Sequence, residues 1–284
     1  MQLLLPFLFL ALAAPLNQAN STCRTVITPE EQAQTEVHFK SSMKASISPA
    51  QAPGPINVYF HIITQGPLVS DGNISSRIIK DQINVLNKDY APSGISFILA
   101  NISYTYQPSW YQNVYMDNKE ADEMRQALRI GTASDLNIYT VGFLSEESKG
   151  KVAGYASFPF EYAGAPFRDS VVMLSSALPA VYEHSFYIGR VATHEIGHWF
   201  GLYHTFGNEE VGNCTGPGDY VDDTPMESLP AVACQTLRDS CPDQPGKDPV
   251  RNYMDYSPED CKDEFTPGQT QRMINQWNIY RSQK

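Results

Sequence analysis

The chain has 284 residues, 42% of them hydrophobic and 18% charged, with a formal net charge of -11. That length and apolar content suit one large globular domain or two modest ones and exclude a wholly disordered chain. The acidic balance argues against nucleic acid as a partner.

The chain opens with an apolar stretch from Leu3 to Ala14, too short to cross a bilayer and ending in the small-residue pattern Ala11-Leu12-Ala13. This predicts a signal peptide over residues 1–19, although no Lys or Arg precedes the apolar run. No later run reaches the roughly 20 apolar residues of a membrane span, so the expectation is a secreted, extracellular, soluble monomer with no membrane partner. The sequons at Asn20, Asn73, Asn101 and Asn213 are glycan acceptors in a eukaryotic host. Residues 20–54 are polar, lack an apolar period and end in Pro49, Pro53, Gly54 and Pro55, the pattern of a linker or N-terminal pro-segment ahead of a domain over 55–284.

From Ile56 the residues Val58, Phe60 and Ile62 alternate with polar neighbours, the period of a half-buried strand. Ile79, Ile83, Leu86 and Tyr90 then share one helical face behind Ser75 and Ser76, two candidate N-caps. Further strands are expected at Ser96–Tyr104, Leu136–Phe143, Gly154–Phe158 and Val171–Leu174, with a short helix near Asn118–Arg129. A long helix is expected over Ser185–Leu202 and a last one over Pro267–Tyr280, with Thr266 and Gln269 as a capping box. The fold class is therefore α/β. The stretch between the last two helices is rich in Gly, Pro, Asp and Cys, and a loop that long in a compact domain calls for function or covalent staples.

The chemistry concentrates in His194-Glu195-Ile196-Gly197-His198-Trp199-Phe200-Gly201-Leu202-Tyr203-His204. Residues four apart share a helix face, so His194 and His198 present both rings to one ion. A continuing helix would rotate His204 about 240° from His198, so the helix has to stop, and Gly201 supplies the positive φ that ends it. Three neutral imidazoles suit Zn²⁺, and a fourth position left to water marks a catalytic site. Glu195 then stands beside the ion as general base. The remaining histidines, His38, His61 and His184, have no such companions and read as solvated or hydrogen-bonded residues.

HExxHxxGxxH, followed by Thr205-Phe206, Cys214, the run Gly218–Pro225, Asn252-Tyr253-Met254-Asp255-Tyr256 and Phe265-Thr266-Pro267, resembles the pappalysin family of metzincin zinc metalloproteases, in its short secreted fungal and microbial branch. The resemblance covers roughly residues 55–284. It implies a secreted endopeptidase that hydrolyses peptide bonds of extracellular proteins. It also implies a twisted, mostly parallel five-stranded sheet with helices above a zinc cleft, over a loop-rich lower subdomain with a C-terminal helix. Substrate peptide would add to the sheet edge near Gly154–Ser157, unless that stretch is an interior strand. Met254 would form a floor beneath the zinc. Tyr256 would stabilise the oxyanion, its other reading being a packed tyrosine with its hydroxyl paired.

Five cysteines in a secreted chain leave one over. Cys214, Cys234, Cys241 and Cys261 allow three pairings, and the resemblance favours Cys214 with Cys241 and Cys234 with Cys261. Asp219, Asp222, Asp223 and Glu227 read either as a calcium site, which the resemblance favours, or as an acidic solvated turn. Asp260 occupies a position that in related proteases lines the pocket for the residue after the cut, where a carboxylate favours Lys or Arg; it reads equally as a turn cap. The odd Cys23 lies in Cys23-Arg24-Thr25, which resembles a Cys-Gly-Thr near the start of related proteins. It is a candidate latency switch on the zinc, against an intermolecular disulfide or a free thiol. The rival readings are a non-catalytic peptide-binding protein of metzincin type, disfavoured by the intact Glu195, and a protease of another metzincin family.

Overall fold

The computed structural model describes residues 22–45, 50–183, 185–206 and 214–282. The expected signal peptide, the sequons at Asn20 and Asn213, and His184 lie outside them. The sheet has the strand order β1-β5-β6-β4-β2-β3, from β1 (Thr22–Cys23), β2 (Ile56–Thr64), β3 (Phe97–Tyr106), β4 (Leu136–Val141), β5 (Val152–Ala156) and β6 (Val171–Leu174). All pairings are parallel except β5 with β6. The five strands β2 to β6 are those expected from the sequence, with ends shifted by a few residues. The sixth, β1, comes from the N-terminal segment and covers the free edge of β5.

Helix α2 (Ser76–Tyr90) buries Ile79, Ile83, Leu86 and Tyr90, the face read from the sequence. These residues join Val58, Phe60 and Ile62 of β2, and Ile196 and Trp199 of α5 (Arg190–Trp199), in one core on one side of the sheet. The opposite side packs Tyr139, Val172 and Tyr155 against α3 (Pro108–Asn113) and α4 (Lys119–Leu128). The last helix, α6 (Pro267–Tyr280), begins at the expected capping box: Gln269 N donates to Thr266 Oγ1 at 3.0 Å and Thr266 N to Gln269 Oε1 at 3.0 Å. Just past its C-terminal end the fully buried Arg281 lies over the Trp199 ring at 3.6 Å and pairs with buried Asp169 at 3.0 Å, tying α6 to α5. Among the described residues no helix is long and apolar enough to cross a membrane.

Two expectations are corrected. Residues 29–45, which show no apolar period, form α1 (Pro29–Ala45). Only Glu36 and Phe39 of that helix are buried, so it docks mainly through polar contacts that leave no hydrophobic signature. The helix expected over Ser185–Leu202 is the shorter α5, because its N-terminus is capped from a distant segment: Glu259 accepts from Ile188 N, Arg190 N and Val191 N at 2.6, 3.0 and 2.9 Å. A carboxylate there satisfies orphan amides and faces the positive end of the helix dipole.

The lower part carries the disulfides Cys214–Cys241 and Cys234–Cys261, the pairing the family resemblance favours, each with a sequence separation of 27. Loops of that length give about 3–4 kcal/mol in the chain-entropy model. The double variant Cys234→Ser/Cys261→Ser is therefore expected to lose about 3 kcal/mol of unfolding free energy in a urea titration, and a loss within error of zero would contradict the stapling role.

Candidate active site

Helix α5 presents His194, Glu195 and His198, all buried, on the side toward the β5 edge. It ends at Gly201, whose φ of +90° lets Gly201 N donate to His198 O at 2.7 Å and Leu202 N to Gly197 O at 3.0 Å. A side chain at Gly201 would be strained at that φ and would meet Gln276 at 2.7 Å. The turn carries His204 back to the helix. Gly197, between the first two histidines, is needed for a different reason: a Cβ there would sit 2.4 Å from the sulfur of Met254. Met254 is fully buried in the core against α5.

The three rings converge. His194 and His198 Nε2 are 3.2 Å apart, as are those of His194 and His204, and His198 and His204 Nε2 are 3.0 Å apart. His194 Nδ1 lies 2.7 Å from Tyr253 O and His198 Nδ1 2.8 Å from Leu202 O, so both Nδ1 atoms donate and both Nε2 lone pairs point into the gap. Burial pushes the pKa of His198 down to about 4, and burial with the neighbouring rings holds those of His194 and His204 well below the usual range. Tetrahedral zinc with bonds of 2.0–2.1 Å places nitrogen ligands about 3.3 Å apart, so the donor set fits that ion.

Glu195 is pushed up to about 8 by burial, partly opposed by hydrogen bonds from the N-terminal segment. Cys23 Sγ donates to Glu195 Oε2 at 3.3 Å and Thr25 Oγ1 to the same oxygen at 3.1 Å. The Cys23 sulfur and the three histidine nitrogens all lie within 4.8 Å of one another, and among the described residues no other set of three or more His, Cys, Asp or Glu converges in this way. Tyr256, whose ring lies 5.0 Å from that of His204, donates its hydroxyl to Cys23 O at 3.1 Å. Arg24 N donates to Gly154 O at 2.9 Å and Ala156 N to Thr25 Oγ1 at 2.8 Å, so the segment follows the β5 edge.

The acidic loop is divided. Asp219, Asp222 and Asp223 line a pocket of about 370 Å³. Burial pushes Asp219 up to about 7, while Asp223 accepts from Thr266 Oγ1 and from Gly268 N at the start of α6. Glu227 instead accepts from Thr205 Oγ1 at 2.9 Å and pairs with Arg238, so it does not join the other three. Asp260 is exposed and has no partner among the described residues, between the inward-turned Glu259 and the disulfide of Cys261. His38 bonds the Tyr280 hydroxyl, and buried His61 bonds Ser103 and Asn137, both as the bland reading expects.

Sequence reasoning missed Thr25, Glu259, buried Lys262, whose Nζ donates to Asp255 O at 3.0 Å, and the buried pair of Glu36 with Arg272. Arg272 also donates from Nε to Gly201 O at 2.9 Å, linking α1 to the turn before His204.

Among solved structures, a promirolysin mutant from Tannerella forsythia matches with a TM-score of 0.72 and 25% identity over 91% of this chain and 95% of that one. The mature mirolysin of that organism, in complex with a cleaved peptide, matches with a TM-score of 0.65 and 26% identity over 81% and 97%. The sheet and the three-imidazole pocket place the protein among the metzincins, as a metalloendopeptidase. The family model described as Pregnancy-associated plasma protein-A, a peptidase family, matches residues 132–278. An extracellular metalloprotease of Neurospora crassa is 44% identical over 83% of this chain and 79% of its own length, and extracellular metalloprotease 1 of Coccidioides posadasii is 40% identical over 99% and 98%. The chain belongs to the pappalysin family of metalloproteases.

Proposed function

We propose that the protein is a secreted zinc endopeptidase made as a zymogen, with residues 1–19 as signal peptide, 20–54 as pro-segment and 55–284 as catalytic domain, acting as a monomer on extracellular proteins. The observation that carries the reading is the convergence of the His194, His198 and His204 Nε2 atoms beside the carboxylate of Glu195. Zinc held by those nitrogens supplies a Lewis acid that polarises a scissile carbonyl and acidifies water. Glu195 takes the proton of the attacking water and returns it to the leaving amine. The Tyr256 hydroxyl, which points into the site at Cys23 O, donates to the oxygen on which negative charge develops.

The edge of β5 binds the substrate backbone, as it holds Arg24 and Thr25 here. Asp260 selects Lys or Arg after the cut: its carboxylate is free, and the flanking Glu259 cap and Cys261 disulfide fix its backbone. Calcium binds at Asp219, Asp222 and Asp223, where hard oxygen donors line one pocket and the buried Asp219 forms no ion pair among the described residues. Latency follows from Cys23, whose thiolate is a strong zinc ligand and whose chain also bonds Glu195 and Tyr256.

Glu195→Ala is expected to keep zinc, measured by atomic absorption, and lose about 10²–10⁴-fold in peptidase turnover; retained turnover would refute the mechanism. Tyr256→Phe should lower turnover less, with KM nearly unchanged. Chelating zinc should abolish activity, whereas a calcium-selective chelator should lower the unfolding temperature, and an unmoved melting curve would remove calcium from the account. The full chain carrying Cys23→Ala should be active without processing, and latency equal to that of the parent would leave Cys23 without a role at the zinc. Sequencing the cuts made in a mixed peptide library should show Lys or Arg after the scissile bond, a preference weakened in Asp260→Asn; a profile indifferent to that change would dismiss Asp260 as the selector.

A further inference from the structure

On an extended strand successive side chains point to opposite faces. Cys23 and Thr25 reach Glu195 on the zinc side, and Arg24 between them borders a cavity of about 180 Å³ lined also by Met116, Asp117, Tyr155, Glu161 and Arg168. This cavity lies off the face of β5 where Tyr155 packs with the α3–α4 core, away from the histidines. Arg24 does not fill it; the space left would hold several waters at about 30 Å³ each.

The electrostatics of the cavity are unbalanced. Its two resident cations are already engaged: Arg125 and Arg168 both pair with Asp117 and Asp122. Asp169 is taken by Arg129 and Arg281. Glu161 accepts from Phe158 N at 2.6 Å but forms no ion pair among the described residues. Arg24 also forms none, and its Nε is enclosed with no hydrogen-bond partner, as is Arg168 Nε on the same lining. Carboxylate and guanidinium thus border one cavity without closing an ion pair, and Arg125 and Arg168 act on Glu161 only at longer range.

We propose that this cavity is a second substrate subsite, which takes a Lys or Arg side chain from the residue of an extended peptide that lies on the far face of the β5 edge, with Glu161 as its counter-charge. In the latent chain Arg24 stands at its mouth as the pro-segment's own stand-in for that side chain. The inference rests on the reading of the β5 edge as the substrate site, and it adds a basic preference at a position other than the one Asp260 serves. Tyr155 and Met116 give the aliphatic stem an apolar wall, while Glu161 at the rim meets the charged head.

The test has two arms. In the full chain Cys23 is the one free thiol among the described residues, so its rate of maleimide labelling reports lifting of the N-terminal segment. Arg24→Glu and Glu161→Arg should each label faster than the parent, and the double charge swap should bring the rate back toward the parent's, as opposite charges facing each other across one cavity require. Equal rates in all four proteins would overturn the proposal. In the second arm the enzyme activated from the full chain digests a mixed peptide library. A Lys or Arg enrichment is expected at one position besides that following the cut, lost in Glu161→Gln and turned to Asp or Glu in Glu161→Arg, while Asp260→Asn leaves it intact. Cleavage without that enrichment, or enrichment indifferent to residue 161, would overturn the subsite. No cleavage by any form, with the labelling arm as expected, would overturn the peptidase reading and leave the Arg24 pocket standing.

Discussion

Three imidazole lone pairs within 3.2 Å of one another, in a pocket closed to solvent, repel each other unless a cation lies between them. Much of the surrounding structure can be understood as holding that arrangement. Glu259 anchors the start of α5, Gly197 admits Met254 beneath it, and Gly201 turns the chain so that His204 returns. The carbonyls of Tyr253 and Leu202 fix the ring tautomers from opposite ends of the site. One of these comes from the segment bearing Met254 and the other from the turn itself, so the ligands are oriented by elements far apart in sequence. This is how a metal site gains rigidity: the groups behind the ligands are themselves packed.

The N-terminal segment attaches by different means from the rest of the fold. Helix α1 buries a single large apolar side chain, Phe39, and its strongest contact is the buried ion pair of Glu36 with Arg272. Around that pair Thr35 bonds the Tyr203 hydroxyl and His38 that of Tyr280, with Arg272 over the rings of Phe39 and Tyr203. Removing one partner of a buried pair is costly, about 3–5 kcal/mol, but removing the whole helix lets Arg272 regain water. A polar attachment of this kind suits the proposed removal of the segment, whereas a hydrophobic one would expose an apolar patch on departure.

Local signals carried much of the fold into view. The period-two run of β2, the short apolar run of β6, the apolar stripe of α2 and the Thr266–Gln269 capping box act over a few residues and stand in the structure where the sequence puts them. The zinc triad was legible for the same reason, since its spacing and the glycine stop are local. What escaped is long-range: the Glu259 cap, 69 residues from the amide of Arg190, and the Glu36–Arg272 pair, 236 residues apart. Helix α1 hid because its register is set by partners on α6 and leaves no apolar period. Glu227, grouped with the acidic loop by its place in the sequence, instead bonds Arg238 and Thr205 through folding that composition does not encode.

Thr25 shows how these two orders of interaction meet. Its hydroxyl has one proton and spends it on Glu195, while a lone pair takes the amide of Ala156. A side-chain oxygen therefore accepts where a backbone carbonyl would continue the ladder, and the pairing of β1 with β5 stops after two residues. The chain is then free to leave the edge and enter α1. Because strand geometry alternates faces, ending the ladder there leaves Cys23 and Thr25 on the catalytic side and Arg24 alone on the other. Three consecutive residues thus engage Glu195, the sheet edge and the far pocket at once. A single hydroxyl joins the first two, so displacing the segment from the edge also frees the Glu195 carboxylate.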